Sequence, residues 1–371
     1  MKAVASKINR TILAFLVIPG LAISIASCSV QKKAQPQAKN IIFLIGDGMG
    51  LQQMYAAYTV NGGSLHMMRS THVGLQTSFS ANRYITDSAA SGTAMACGKK
   101  TNNGMIGVDT AQNELESILK VAERNKMATG LVSTSAITHA TPASFIANEV
   151  SRNDYEAIAA DFLKTDIDLF IGGGLDHFTN RADGQDLTAE LEANGYNVAT
   201  NIDQVMAHTT GKLAALTAPG HNPNVLNGRG DMLSLATSKA LEILDNDQNG
   251  FFIMIEGSQI DWGGHDNNEE YVLKETLDFD AAVKVAMDFA EEDGETLVVV
   301  TADHETGGLM ILNGDIDQGE VTINFNTGGH TGIMLPVYAF GPGAELFTGF
   351  YDNTDFKSKF MQALGISDDT D

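Results

Sequence analysis

The chain has 371 residues, 43% of them hydrophobic and 19% charged, a balance that folds into one large or two ordinary domains and excludes a disordered chain. Forty-six acidic residues against 23 Lys and Arg give a formal charge of −23, which argues against nucleic acid and anionic membrane as partners. Such a chain repels an anionic substrate at long range unless cations sit where that substrate binds.

Lys2, Lys7 and Arg10 flank the apolar run 12–25, which is too short and wrongly bounded for a spanning helix. The run ends in Ile25-Ala26-Ser27-Cys28, which resembles the lipobox of bacterial lipoproteins. That resemblance implies a signal peptide over 1–27, cleavage before Cys28 and lipidation of its thiol; an ordinary signal peptide with an incidental cysteine is the alternative. The protein is then exported, and with the lipid it is anchored in the periplasm or at the cell envelope, touching membrane only through Cys28. Residues 28–39 read as a polar tether and 40–371 as a single domain. Cys97 is the one cysteine remaining, so the exported chain has no internal disulfide.

Past the tether, apolar runs at 40–46, 130–133, 169–172, 251–255, 297–301 and 337–340 predict buried strands. Helical periodicity at 113–126, 154–164, 233–244 and 269–290 separates them. The alternation predicts an α/β fold, a three-layer α/β/α sandwich around a central, mostly parallel mixed sheet. Residues 173–232, richer in Gly, Asn and Thr, read as an irregular excursion from the sheet. Within it, "IGGGLD" lacks the Lys-Ser/Thr of a phosphate loop and reads as a tight turn. "RGD" at 229–231 precedes a helix start, with Asp231 as a plausible N-cap.

Ligand-type residues follow the strong strands. Asp47 comes after the first, Glu256 with Asp261 and His265 after the fourth, and Asp303 with His304 after the fifth. Open α/β sheets place their sites at the carboxyl ends of strands. His330, in Gly-Gly-His-Thr-Gly, can reach the same edge from a loop. A competing pattern shares Glu256: residues 245–256 match the EF-hand calcium loop letter for letter. Positions seven to eleven of that loop are Phe-Phe-Ile-Met-Ile, a buried-strand signature where an EF-hand starts its exit helix.

The motifs IIFLIGDGMG, TDSAASGTAMACG, THATPASF, EGSQIDWGGH, TADHETGG and GGHTG, in that order from residue 41 to 332, resemble those of the alkaline phosphatases, in particular compact bacterial forms that include cold-active marine and Antarctic ones. The resemblance implies hydrolysis of small phosphate monoesters with broad specificity, by in-line displacement through a phosphoserine, in a homodimer. It implies two Zn2+ and one Mg2+. Asp261, His265 and His330 would hold the first zinc, and Asp47, Asp303 and His304 the second. Asp47 would bridge to a magnesium also held by Thr141 and Glu256. The chemistry agrees: imidazole with carboxylate suits zinc, and an all-oxygen set suits magnesium. Ser88 would be the nucleophile, at the start of a predicted helix whose N-terminus favours a phosphate dianion. Arg152 would clamp two phosphate oxygens with its planar fork.

His139 and Trp262 stand where the enteric bacterial enzymes carry an aspartate and a lysine, so the salt bridge and the water-mediated lysine contact to phosphate are missing here. Two rival chemistries remain. Sulfatases need a Cys or Ser followed by Pro and Arg, a run that DSAASG lacks, and phosphodiesterase relatives typically use threonine without the magnesium site or clamp arginine. A non-catalytic calcium-binding lipoprotein resting on residues 245–256 is the alternative from another class.

Overall fold

Every apolar run predicted as a strand lies in one ten-stranded sheet of a computed structural model that describes residues 37–367. The signal peptide, Cys28 and the tether up to residue 36 lie outside the described residues. In chain order the strands are β1 (Asn40–Gly46), β2 (His72–Thr77), β3 (Ala128–Ala136), β4 (Leu169–Gly173), β5 (Asn197–Ala199), β6 (Leu213–Leu216) and β7 (Phe251–Gly257). They continue as β8 (Thr296–Thr301), β9 (Glu305–Thr306), β10 (Leu309–Asp315), β11 (Glu320–Phe325), β12 (His330–Thr331), β13 (Leu335–Phe340) and β14 (Gly349–Asp352).

The large sheet runs β14-β2-β13-β8-β1-β7-β3-β4-β6-β5. Its pairings are parallel except the two made by β13. β10–β11 and β9–β12 form two small separate pairs. Because side chains alternate along a strand, Ile41, Phe43 and Ile45 feed one core layer. Ile42 and Leu44 feed the other, on the opposite face. Helices cover both faces: Phe356 and Phe360 of helix Asp355–Leu364 pack on Phe43 with ring centroids 5.3 and 5.0 Å away. On the far side, Phe279 and Val283 of helix Glu269–Asp293 join Ile42 and Leu44. The result is the expected α/β/α sandwich with a mostly parallel sheet. Among the described residues no helix is long and apolar enough to cross a membrane.

The structure corrects the sequence reading in two places. Residues 173–232 return to the sheet as β5 and β6, which extend its edge beyond β4; strands of three and four residues are too short to leave a periodic signal. The helix expected over 113–126 spans only Ile118–Arg124. Asp109 accepts the N–H groups of Ala111 and Asn113, holding that stretch in a turn, and the Ser117 side chain then caps the helix through Lys120 N–H.

The RGD tripeptide is not presented for binding. Arg229 is buried, paired with Glu275 and, at 2.7 Å, with Asp278 of the long helix. Asp231 does occupy the N-cap position of helix Met232–Leu244, without a capping hydrogen bond. Arg229→Ala leaves two carboxylates buried without their cation, so it is expected to cost about 3–5 kcal/mol of stability. Urea denaturation measures this; an unchanged midpoint would show the cluster to be dispensable.

Candidate active site

Four adjacent central strands, β8, β1, β7 and β3, deliver the site at their carboxyl ends. Asp47 follows β1, Glu256 closes β7, and Asp303 and His304 follow β8. β3 leads to His139, at the N-cap position of the short helix Ala140–Ile146, and to Thr141 in its first turn. Gly48 makes the turn after β1 at φ +75, where a Cβ would lie 2.6 Å from Asp261 Cα. Only glycine allows that left-handed turn and that approach.

Among the described residues three groups of carboxylates and imidazoles bring one donor atom each within 4.8 Å of one another: Asp261, His265 and His330; Asp47, Asp303 and His304; and Asp47, His139 and Glu256. In the first, Asp261 and His265 sit four apart on one face of helix Gln259–His265. His265 Nδ1 donates to Gly328 O at 2.8 Å and His330 Nδ1 to Thr86 O at 2.9 Å. In its neutral form each ring therefore keeps its lone pair on Nε2, the two Nε2 atoms facing each other at 3.2 Å, while the Asp261 carboxylate raises His265 to about 9 and so favours a proton on its Nε2. Asp261 oxygens approach them at 3.3 and 3.5 Å. Lone pairs converging in this way repel unless a proton or a metal cation lies among them.

The second group is wholly buried. His304 Nε2 is 3.1 Å from Asp303 Oδ2, 3.4 Å from Asp47 Oδ1 and 3.2 Å from Ser88 Oγ. Asp303 Oδ1 is turned away and accepts the N–H groups of Gly48 and His304. In the third group, Glu256 Oε2 accepts from Ser133 at 2.6 Å and Ser258 at 2.7 Å, which aims Oε1 into the pocket. The Thr141 hydroxyl is near enough to favour the charged form of Glu256, though not in hydrogen-bond contact.

Six buried atoms here have no hydrogen-bond partner: both oxygens of Asp47, Asp303 Oδ2, Glu256 Oε1, Thr141 Oγ1 and His139 Nδ1. Buried polar atoms rarely go unpaired, and the five oxygens among these six, all lone-pair types, fit bound cations; His139 Nδ1 carries its ring's proton, because Nε2 accepts from Arg152. The electrostatics agree. Burial, reinforced by Asp303, Asp261 and Glu256, pushes Asp47 well above the usual carboxylate range. Burial raises Glu256 to about 7 against its two serine hydrogen bonds. Burial and the neighbouring His304 lower His330 to about 4. Carboxylates crowded this closely are held charged only by positive charge among them.

Ser88 is the first residue of helix Ser88–Cys97, and the side chain of the preceding Asp87 caps that helix through Ala90 N–H at 3.0 Å. Arg152 Nη1 donates to Asp87 Oδ2 at 3.0 Å and Nη2 to His139 Nε2 at 3.3 Å. Arg152, resting on a three-residue match in sequence, is thus brought into the same pocket as Ser88. Trp262 stands edge-on to His139, with centroids 6.1 Å apart. All twelve residues singled out in sequence therefore meet at one sheet edge.

Other residues escaped sequence reasoning. Ser133 and Ser258 orient Glu256, Thr306 hydrogen-bonds Asp261, and Asp87 holds Arg152. Ser133 and Thr306 lay at a strand end and inside TADHETGG, where they could have been found. His221, which touches both His139 and Trp262, lay in the apparently irregular excursion and gave no signal.

The EF-hand match does not survive. Asp245 ends helix Met232–Leu244, and β7 separates Gly250 from Glu256. Five extended residues span about 17 Å, whereas calcium ligands share a sphere of about 2.5 Å radius.

A serine at a helix start, facing three cation-binding groups on the carboxyl edge of an α/β sheet, defines a metal-dependent hydrolase. The alkaline phosphatase family profile matches residues 38–320. Alkaline phosphatase 3 of Bacillus subtilis is 34% identical, covering 91% of this chain and 92% of its own. The solved alkaline phosphatase of the Antarctic bacterium TAB5 is 40% identical, covering 90% of this chain and 100% of its own with a TM-score of 0.84. A TAB5 variant with one histidine replaced by glutamate, solved with magnesium in its M3 site, superposes with a TM-score of 0.85, again at 40% identity over 90% of this chain and 100% of its own. The chain belongs to the alkaline phosphatase family, hydrolases of phosphate monoesters.

Proposed function

We propose that this chain hydrolyses phosphate monoesters of broad structure in two in-line displacements, with Ser88 as the nucleophile. Two zinc ions would be held by Asp261, His265 and His330 and by Asp47, Asp303 and His304, and a magnesium by Asp47, Thr141 and Glu256. When bound, these cations supply Lewis-acid activation of the attacking and leaving oxygens and neutralise phosphoryl charge. The magnesium in the TAB5 variant supports a third cation of that kind, and His139 stands beside the all-oxygen set, within reach of Asp47 and Glu256.

Ser88 Oγ bonds to phosphorus as the alcohol departs, giving a phosphoserine. Arg152 binds two non-bridging oxygens through its fork, held in place by Asp87. The free N–H groups of helix Ser88–Cys97 face the same dianion. Water then displaces Ser88 from the opposite side and releases inorganic phosphate, leaving the hydroxyl as it began. Ser88 is buried while His265 is exposed, so the phosphoryl end is enclosed and the rest of the ester faces solvent. That asymmetry supports broad specificity.

The observation that carries this reading is Ser88 Oγ, at a helix N-terminus, 3.2 Å from His304 Nε2 in the pocket that also holds Arg152. Trapping covalent phosphate in acid and mapping it to Ser88 tests it, together with rates on nitrophenyl mono- and diesters. Phosphate found elsewhere, or diesters preferred, would sink it.

Trp262 supplies no charge to the product, which favours fast phosphate release at some cost in magnesium retention. Trp262→Lys is expected to tighten inhibition by inorganic phosphate about 3- to 10-fold, through a water-mediated charged contact. Unchanged inhibition in a phosphate titration would remove Trp262 from this role. The basic, apolar and Ile-Ala-Ser-Cys features of residues 1–28 support export with a lipid on Cys28, to the periplasm or the cell envelope, where the homodimer implied by the family resemblance would stand.

A further inference from the structure

His221 reaches the site from a segment with no family motif. It follows β6, and the chain around it is held firmly. Gly220 O accepts Gly174 N–H at 2.6 Å, Asn222 O accepts Gln259 Nε2 at 3.0 Å, and Asn222 Oδ1 accepts the Thr217 hydroxyl at 2.8 Å. Gly173 permits this docking, since a Cβ there would stand 2.1 Å from Gly220 O. The imidazole is then fixed in turn. His221 Nδ1 accepts the N–H of Ala136 at 3.0 Å, the last residue of β3, so its proton sits on Nε2.

Three rings meet nearly at right angles. His221 lies 4.8 Å from Trp262 at 73°, and 5.6 Å from His139 at 87°. His139 lies 6.1 Å from Trp262, also at 87°. Edge-to-face packing at these distances is attractive and directional. His139 is buried, and its ring makes one hydrogen bond, accepting at Nε2 from Arg152 Nη2. Nδ1 has no hydrogen-bond partner to fix the ring from its other side, so ring contacts hold the angle at which Nε2 meets Arg152.

We infer that His221 is a positioning residue for phosphate binding. With Trp262 it fixes the His139 ring so that Nε2 faces Arg152, which holds the guanidinium between His139 and Asp87, the cap of the Ser88 helix. This rests on Arg152 as the phosphate clamp proposed above. The brace acts on the bound phosphoryl group, in substrate and product alike, rather than on the bond-breaking step. Loss of His221 therefore weakens binding more than turnover.

The test uses the zinc- and magnesium-loaded protein and its chelator-treated form. His221→Ala is expected to raise KM for nitrophenyl phosphate, and the inhibition constant for inorganic phosphate, about 3- to 10-fold, with kcat changed less than about twofold. His221→Phe keeps a ring edge against Trp262 and His139 and is expected to recover most of that loss. Trp262 is the single tryptophan of the chain, so its emission reports the brace without activity. His221→Ala is expected to change that emission in the chelator-treated protein, and His221→Phe to change it less. Unchanged KM, phosphate inhibition or emission in His221→Ala overturns the inference, as does equal impairment of the two variants. Failure of the Ser88 reading shows itself separately, as activity retained by Ser88→Ala, and leaves the KM ratios readable.

Discussion

Ser88→Ala is expected to lower kcat for a simple phosphate monoester by on the order of 10³-fold or more, while melting with the parent. The second half of that expectation gives the first its force. Ser88 sits at the start of its helix, but the cap is Asp87, whose carboxylate takes Ala90 N–H. The Ser88 hydroxyl has one side-chain contact, with His304 Nε2, and replacing a buried hydroxyl by a methyl hydrogen there removes no cap and opens little space. A serine kept only as part of a helix start would leave kcat near the parent value when replaced by alanine. A variant that folds normally and does not turn over identifies the nucleophile; one retaining near-parent kcat would place the chemistry elsewhere.

Asp47→Asn is expected to cost as much activity by a different route, because Asp47 belongs to two of the three groups at once. Its amide removes one anionic donor from each, so metal content falls at both positions. Stability should respond with opposite signs in two states. With metal bound, the variant loses binding free energy that the parent adds to folding, so it melts lower. Treated with chelator, the parent keeps Asp47 buried beside Asp303, Asp261 and Glu256, and removing one of these like charges raises the melting temperature. Calorimetry with and without chelator reads both. A variant lower in both states would make Asp47 a structural residue, and one unchanged in both would detach it from metal.

The parts of this site that sequence revealed are those where strand and ligand coincide. β1, β7 and β8 are buried on both faces and read as unbroken apolar runs, so the polar residues at their ends stand out: Asp47, Glu256, Asp303. The i, i+4 spacing of Asp261 and His265 was equally visible. His330 was placed by a glycine-flanked motif, and its pairing in β12 with β9 could not be foreseen from two residues. The outer strands β2, β5, β6 and β14 stay hidden, being short, or alternating like β2 with one face exposed.

His221 was hidden for a related reason. It is located by docking of its loop against Gly173 and Gln259, contacts between distant segments that leave no period in the sequence. The EF-hand match misleads in the opposite direction, because a polar turn and Glu256 fall within twelve letters of a chain whose backbone between them is extended.

The central claim is that three cations, held by the groups around Asp47, make this fold a phosphomonoesterase. Metal analysis of the purified protein, coupled to nitrophenyl phosphate hydrolysis at alkaline pH through a cycle of chelation and reloading, tests it most directly. Two zinc and one magnesium per chain are expected, with loss of activity as the metals are removed and recovery with zinc and magnesium but not with calcium. Full activity in metal-stripped protein, or recovery by calcium alone, would contradict it.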